Sequence, residues 1–218
     1  MMNRILSIII YQIHRVWFAL LRKSKNYFHQ RVSVGYCLAH QVKFNPEKIH
    51  FYGKTDMFFH PGSKVTIGDG FICRSGRTSG TIDHHVMSVI EVRPGAALSI
   101  GSHSGISNTC IHCHQSITIG EYVNIGAGTM IFDTDFHSLD WKDRKEGTDI
   151  ANRKCKPVVI KDYAFIGANC LILKGSSIGI HSVVGAGSVV CCDIPDNEIW
   201  AGNPAVFIKK ADINTKQP

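Results

Sequence analysis

From Ile160 onward the chain counts in sixes. Large aliphatics stand at Ile160, Ile166, Ile172, Ile178, Val184 and Val190, and a small residue comes four positions after each of the first five: Ala164, Cys170, Ser176, Ser182 and Ser188. Glycine follows directly at Gly167, Gly179 and Gly185. An α-helix repeats every 3.6 residues and a half-buried strand every 2, so neither gives this spacing. A chain that bends after each short strand does. The aliphatic then points into a core, the small residue fits a tight corner, and glycine tolerates the turn. The predicted fold class is an all-β repeat.

The register continues upstream. It holds at Ile119, Ile125 and Ile131, with Val123 and Thr129 at the small positions. It holds again at Ile100, Ile106 and His112, with Ser104, Cys110 and Ser116, and one extra residue separates the two runs. "HPGSKVTIGDG", from His60, matches "RPGAALSIGSH", from Arg93, and "TSGTIDHHVMS" between them is expected to be a loop.

The count stops between Ile131 and Ile160. Residues 133 to 157, "DTDFHSLDWKDRKEGTDIANRKCKP", are too polar for a core and predict a loop that leaves the coil. Within it His137 follows two acids, Asp133 and Asp135. A hydroxyl is a poor nucleophile until it loses its proton, and imidazole titrates in the range to take that proton near neutral pH.

The pattern is similar to that of the hexapeptide-repeat acyltransferases, whose strands wind a left-handed parallel β-helix of triangular section. "FIGANCLILKGSSIGIHSVVGAGSVV", followed by "DIPDNEIWAGNPA", resembles the C-terminal half of the maltose, galactoside and polysaccharide O-acetyltransferase branch. The likeness runs from Phe51 to Lys210 and is strongest after Ile117. It implies an acetyl-CoA-dependent O-acetyltransferase with His137 as general base, acting on a saccharide acceptor, as a homotrimer and without a metal. Asp133 or Asp135 would orient the ring or hold the acceptor. Asn108, in "GISNTC", would bind the acceptor or the oxyanion, with a turn asparagine as the competing reading. On the donor side the resemblance points to Phe165 as a wall of the acyl pocket and to Ala168 and Ala186, three repeats apart, as a lining for the pantetheine. Cys191 would lie near the adenine and Lys209 near the phosphates. Val206 departs from the basic residue common in relatives, and Lys210 is the candidate substitute.

A zinc enzyme of the γ-carbonic-anhydrase type uses the same prism. "CIHCH" offers Cys110, His112, Cys113 and His114, with His137 nearby in sequence, although His112 is read here as an inward residue. A non-catalytic scaffold is the third reading. Coenzyme A binding separates them.

Charge sorts the chain into parts. Of 24 Lys and Arg, seven precede Glu47, the first acid, leaving 24 − 7 = 17 bases against 17 acids. The +7 excess therefore belongs to an arm, which argues against nucleic acid as a partner. The expected organisation is a basic amphipathic segment over 1–46, the β-helix over 47–210 and a tail over 211–218. In the arm, Leu6, Ile9, Ile10, Ile13, Val16, Trp17, Leu20 and Leu21 recur at helical spacing. Gln12, His14 and Arg15 interrupt it, so a membrane-spanning helix is not expected, and no small-residue cleavage site follows. Two uses are open: peripheral contact of residues 1–31 with an anionic membrane, or a cap on the end of the coil. The eight cysteines share no spacing and are read as small buried groups in a reducing, cytoplasmic setting.

Overall fold

The computed structural model describes residues 2–76 and 87–212, and the side chains of 2–10 and 15 are not among those described. Most of the expected loop "TSGTIDHHVMS" lies outside the described residues.

Short strands wind a three-faced prism. One face stacks residues 50–52, 72–74, 105–107, 124–125, 165–166, 183–184 and 198–201. The second stacks 55–59, 88–92, 110–113, 130–132, 171–172 and 189–190. The third stacks 64–67, 97–100, 116–119, 158–160 and 177–178. Neighbouring strands pair in parallel, and the chain visits the faces in that order once per turn. A final strand, 206–210, doubles back antiparallel on 198–201 and covers the edge of the first face.

The hexad residues are the core. Ile160, Ile166, Ile172, Ile178, Val184 and Val190 are fully buried, and so are Cys170, Ser182 and Ser188 at the corners. The corner hydroxyls have a second task beyond fitting. Ser104 donates to the Gly120 carbonyl at 2.7 Å and Thr129 to the Gly167 carbonyl at 2.9 Å, which satisfies acceptors that the bend removes from the sheet. Glycine at these corners answers to close approach: a Cβ on Gly167 would lie 2.5 Å from the Ala186 nitrogen.

One register differs from expectation. Ile111, not His112, is the buried residue of its strand, and His112 faces outward. Ile106 to Ile111 is a span of five and Ile111 to Ile119 a span of eight, where the level residues Ile172 and Ile178 are six apart, so the extra residue between the two runs is the net of a corner one residue short at Asn108 and a corner two residues long before Ile119. Cys110 and Ser116 accordingly leave the small corner positions and are partly exposed. Asn108 makes the short corner possible with a left-handed backbone, φ 41°.

The arm is one helix, α1 (Met2–Ala39). Among the described residues, its C-terminal part is what packs on the prism. Ser33 and Cys37 are buried, and the Phe59 N–H donates to Tyr36 Oη at 3.0 Å. Gln30 pairs with the open edge of the first strand, donating to the Ile49 carbonyl at 2.8 Å and accepting from the Phe51 N–H at 2.6 Å. Tyr11, Trp17, Phe18, Tyr27 and Phe28 are exposed. Among the described residues no helix is long and apolar enough to cross a membrane.

Candidate active site

The interrupting loop is a folded unit. Its base is a two-stranded ribbon in which Thr134 bridges Cys155, Asp135 N–H donates to the Lys154 carbonyl and Lys156 N–H to the Asp133 carbonyl. Two short helices fill its tip, α2 (Trp141–Glu146) and α3 (Asp149–Asn152). Asp140 caps α2 by accepting from the Lys142 N–H, and Gly147 ends it in the left-handed region. Asp143 ties the two helices together, accepting from Ser138 Oγ and from Asn152 Nδ2 at 2.9 Å. Those bonds, Ser138 first, hold its carboxyl below the usual range.

This frame presents His137 outward, with 60% of its side chain exposed. Its Nδ1 is in hydrogen-bond contact with Asp149 Oδ2, at the start of α3. The bond to His137 is the main reason the Asp149 carboxyl sits below its ordinary range. An ionised carboxylate only accepts, so Nδ1 carries the proton and Nε2 is left as the basic nitrogen.

The expected orienting acids are therefore both displaced. Asp133 is fully buried, and its oxygens accept from the backbone N–H groups of His114, Gln115 and Ser116, each at 2.7 Å. It anchors the loop to the coil beneath. Asp135 faces Lys174, with 3.2 Å between Oδ1 and Nζ. The carboxylate contact with the His137 ring, expected from one of them, is made by Asp149.

The other expected site residues fall into groups. Asn108, Ala168 and Ala186 share one column, together with Ala127, at the corner between the first and second faces. The links are Gly128 N–H to the Asn108 carbonyl at 3.0 Å, Asn169 N–H to that of Ala127 and Gly187 N–H to that of Ala168, both at 2.8 Å. Asn108 Oδ1 is engaged by the Gly76 N–H at 2.8 Å, as suits a turn asparagine. Phe165, on the strand entering this corner, is 50% exposed. The alanines place only methyl groups over the corner. Lys209 is exposed on the last strand. Lys210, the candidate substitute for the base missing at Val206, is paired with Glu198 at 2.6 Å. Cys191 and the histidine loop lie at the next corner, between the second and third faces. Within one chain the donor column and His137 thus occupy different corners.

The zinc reading loses its ligand set. Along 110–113 the side chains alternate, so Cys113 points into the core while Cys110 and His112 point out. Burial, reinforced by Asp133, pushes the Cys113 thiol up to about 12, far from the thiolate a metal requires. No group of three candidate ligands converges among the described residues.

No family model matches the chain. It is 40% identical over 96 residues to a putative acetyltransferase of Schizosaccharomyces pombe, covering 44% of each protein. It is 38% identical over 94 residues to a galactoside O-acetyltransferase of Lactococcus lactis, covering 43% of each. The chain thus spans less than half the length of the curated relatives it matches. The crystal structure of the polySia-specific acetyltransferase NeuO shares the fold, with a TM-score of 0.59 and 23% identity over 81% of this chain and 74% of that one. The three-faced coil, its hexad core and these matches lead to one conclusion: the chain belongs to the hexapeptide-repeat, left-handed β-helix acyltransferase family.

Proposed function

We propose that the protein transfers an acetyl group from acetyl-CoA to a sugar hydroxyl, in the synthesis of a surface polysaccharide or glycolipid. The observation that carries this reading is His137, held by Asp149 on an ordered loop with its second nitrogen exposed. Acetyl-CoA supplies an activated thioester. His137 Nε2 takes the proton of the acceptor hydroxyl as its oxygen bonds to the acetyl carbon. The carbon–sulfur bond breaks, and the imidazolium returns the proton to the departing sulfur. Asp149 stabilises the imidazolium and fixes the tautomer. Ala168, Ala186, Phe165, Cys191 and Lys209 would hold the coenzyme. The separation of the donor column from His137 favours a homotrimer in which the loop of one subunit faces the donor corner of the next. The sugar acceptor is supported by the name of the galactoside O-acetyltransferase relative. The exposed aromatic and basic stretch of α1, with Trp17, Phe18, Arg22, Lys23 and Lys25, supports peripheral contact with the inner face of an anionic membrane.

Titration with acetyl-CoA tests the class of function, since an anhydrase or a scaffold would not bind it. Binding followed by acetyl transfer in an acceptor screen is the expected result. A chain that ignores acetyl-CoA is not this enzyme.

A further inference from the structure

Six enclosed side-chain nitrogens and oxygens lack a hydrogen-bond partner among the described residues, and five of them belong to one neighbourhood beside His137. They are Arg93 Nε, His112 Nδ1, His114 Nδ1, Asp135 Oδ2 and Arg153 Nε. Native structures leave few such atoms unpaired, and a cluster of them calls for a ligand. The topology explains how they meet. Glu91, His112 and Phe132 sit at one level of the second face on successive turns. Arg93 and His114 follow at the next corner, and Arg153 returns on the loop ribbon. The Phe136 ring roofs the group, with centroids 5.6 Å from those of both His112 and His114 and 5.0 Å from that of Phe132. Phe136 immediately precedes His137.

Three carboxylates, Glu91, Asp133 and Asp135, and three bases, Arg93, Arg153 and Lys174, lie around the group. Glu91 accepts from Arg93 and His60, at 3.0 and 3.1 Å, and lies 2.8 Å from His112 without the alignment of a hydrogen bond. Asp135 has Lys174. Among the described residues Arg153 bonds the Ile150 carbonyl alone and has no carboxylate partner. Burial first, then the charges of Arg153 and Arg93, hold the His114 imidazole below its usual range, so both guanidinium groups bear on that one ring. Arg153 also borders an open hollow of about 590 Å³ beneath the loop helices, so solvent space reaches it.

We propose that the group formed by Arg93, His114 and Arg153 binds an acidic group of the acceptor, a carboxylate or a phosphate, with Asp135 accepting from a neighbouring hydroxyl and Phe136 under the sugar ring. Guanidinium groups pair with both kinds of oxyanion. Bound there, the sugar has a hydroxyl beside His137. This rests on the acetyltransferase reading for its purpose, though not for its test.

The test is direct binding of three probes to the full chain without acetyl-CoA: glucose, glucuronate and glucose 6-phosphate. Glucuronate or glucose 6-phosphate should bind at least about 10-fold more tightly than glucose, and the better of the two identifies the acid. The Arg93→Gln/Arg153→Gln double variant should bind all three alike. Should that variant fail to fold, the His114 imidazole resonance of the parent serves instead, and it should shift with the charged sugar and not with glucose. Equal affinity for all three probes, a preference that survives in the folded double variant, or an unmoved His114 resonance would each overturn the proposal. Acetyl-CoA turnover measured in parallel keeps the two readings apart: a charged-sugar preference without turnover removes the enzyme assignment and leaves the site.

Discussion

At the scale of single residues, two aspartates of one loop have opposite duties. Asp133 is spent on three backbone donors of the coil below, and Asp149 on His137. Asp133→Ala should therefore leave three part-buried N–H groups unpaired and destabilise the protein by about 3 kcal/mol, read as a lowered melting temperature. Asp149→Asn should fold normally and bind acetyl-CoA as the parent does, while kcat falls roughly 10- to 1,000-fold. A fall in melting temperature with unchanged kcat for Asp149→Asn would return that residue to a structural role. His137 was legible in the sequence because it breaks a period. Asp149 was not, since it reaches the ring across 12 residues of loop, and no repeat or spacing encodes a loop's path. Asn108 was visible as a turn residue, and so was the net extra residue between the hexad runs, but not its division into a short corner at Asn108 and a long one after Ile111, because His112 occupied a plausible hexad position.

At the scale of elements, the coils follow from the sequence almost residue by residue, since each hexad fixes one inward aliphatic and one corner. The loop and α1 do not repeat, and their roles depend on contacts. The loop is held by carboxylates whose folded-state affinities for protons are depressed, Asp143 by Ser138 and Asn152, and Asp149 by His137. Depressed carboxylates stabilise the fold above their unfolded range, near pH 4, and that contribution is lost as pH falls through their lower folded values. Protection factors of the amides over 138–153, taken against intrinsic rates at each pH, should thus fall on acidification below about pH 4 while those of the buried coils persist. A uniform fall across loop and coils would contradict this. Helix α1 closes the first turn through Gln30, Ser33 and Cys37 and exposes its earlier aromatics. A chain starting at Val32 should lose both stability and flotation with anionic liposomes. Retention of flotation would place the membrane contact elsewhere.

At the scale of the whole molecule, the alanine column and the histidine loop stand at different corners of one prism, which favours an active site shared between subunits. Sedimentation at micromolar concentration should show a trimer, and Lys209→Glu should raise the apparent KM for acetyl-CoA with less effect on the acceptor. The most direct measurement is steady-state acetyl transfer by His137→Ala. The variant should keep its melting temperature, its trimer and its affinity for acetyl-CoA, and lose on the order of 100- to 10,000-fold in turnover. Turnover near that of the parent, in a folded variant that still binds acetyl-CoA, would show that the histidine at the broken hexad is not the base.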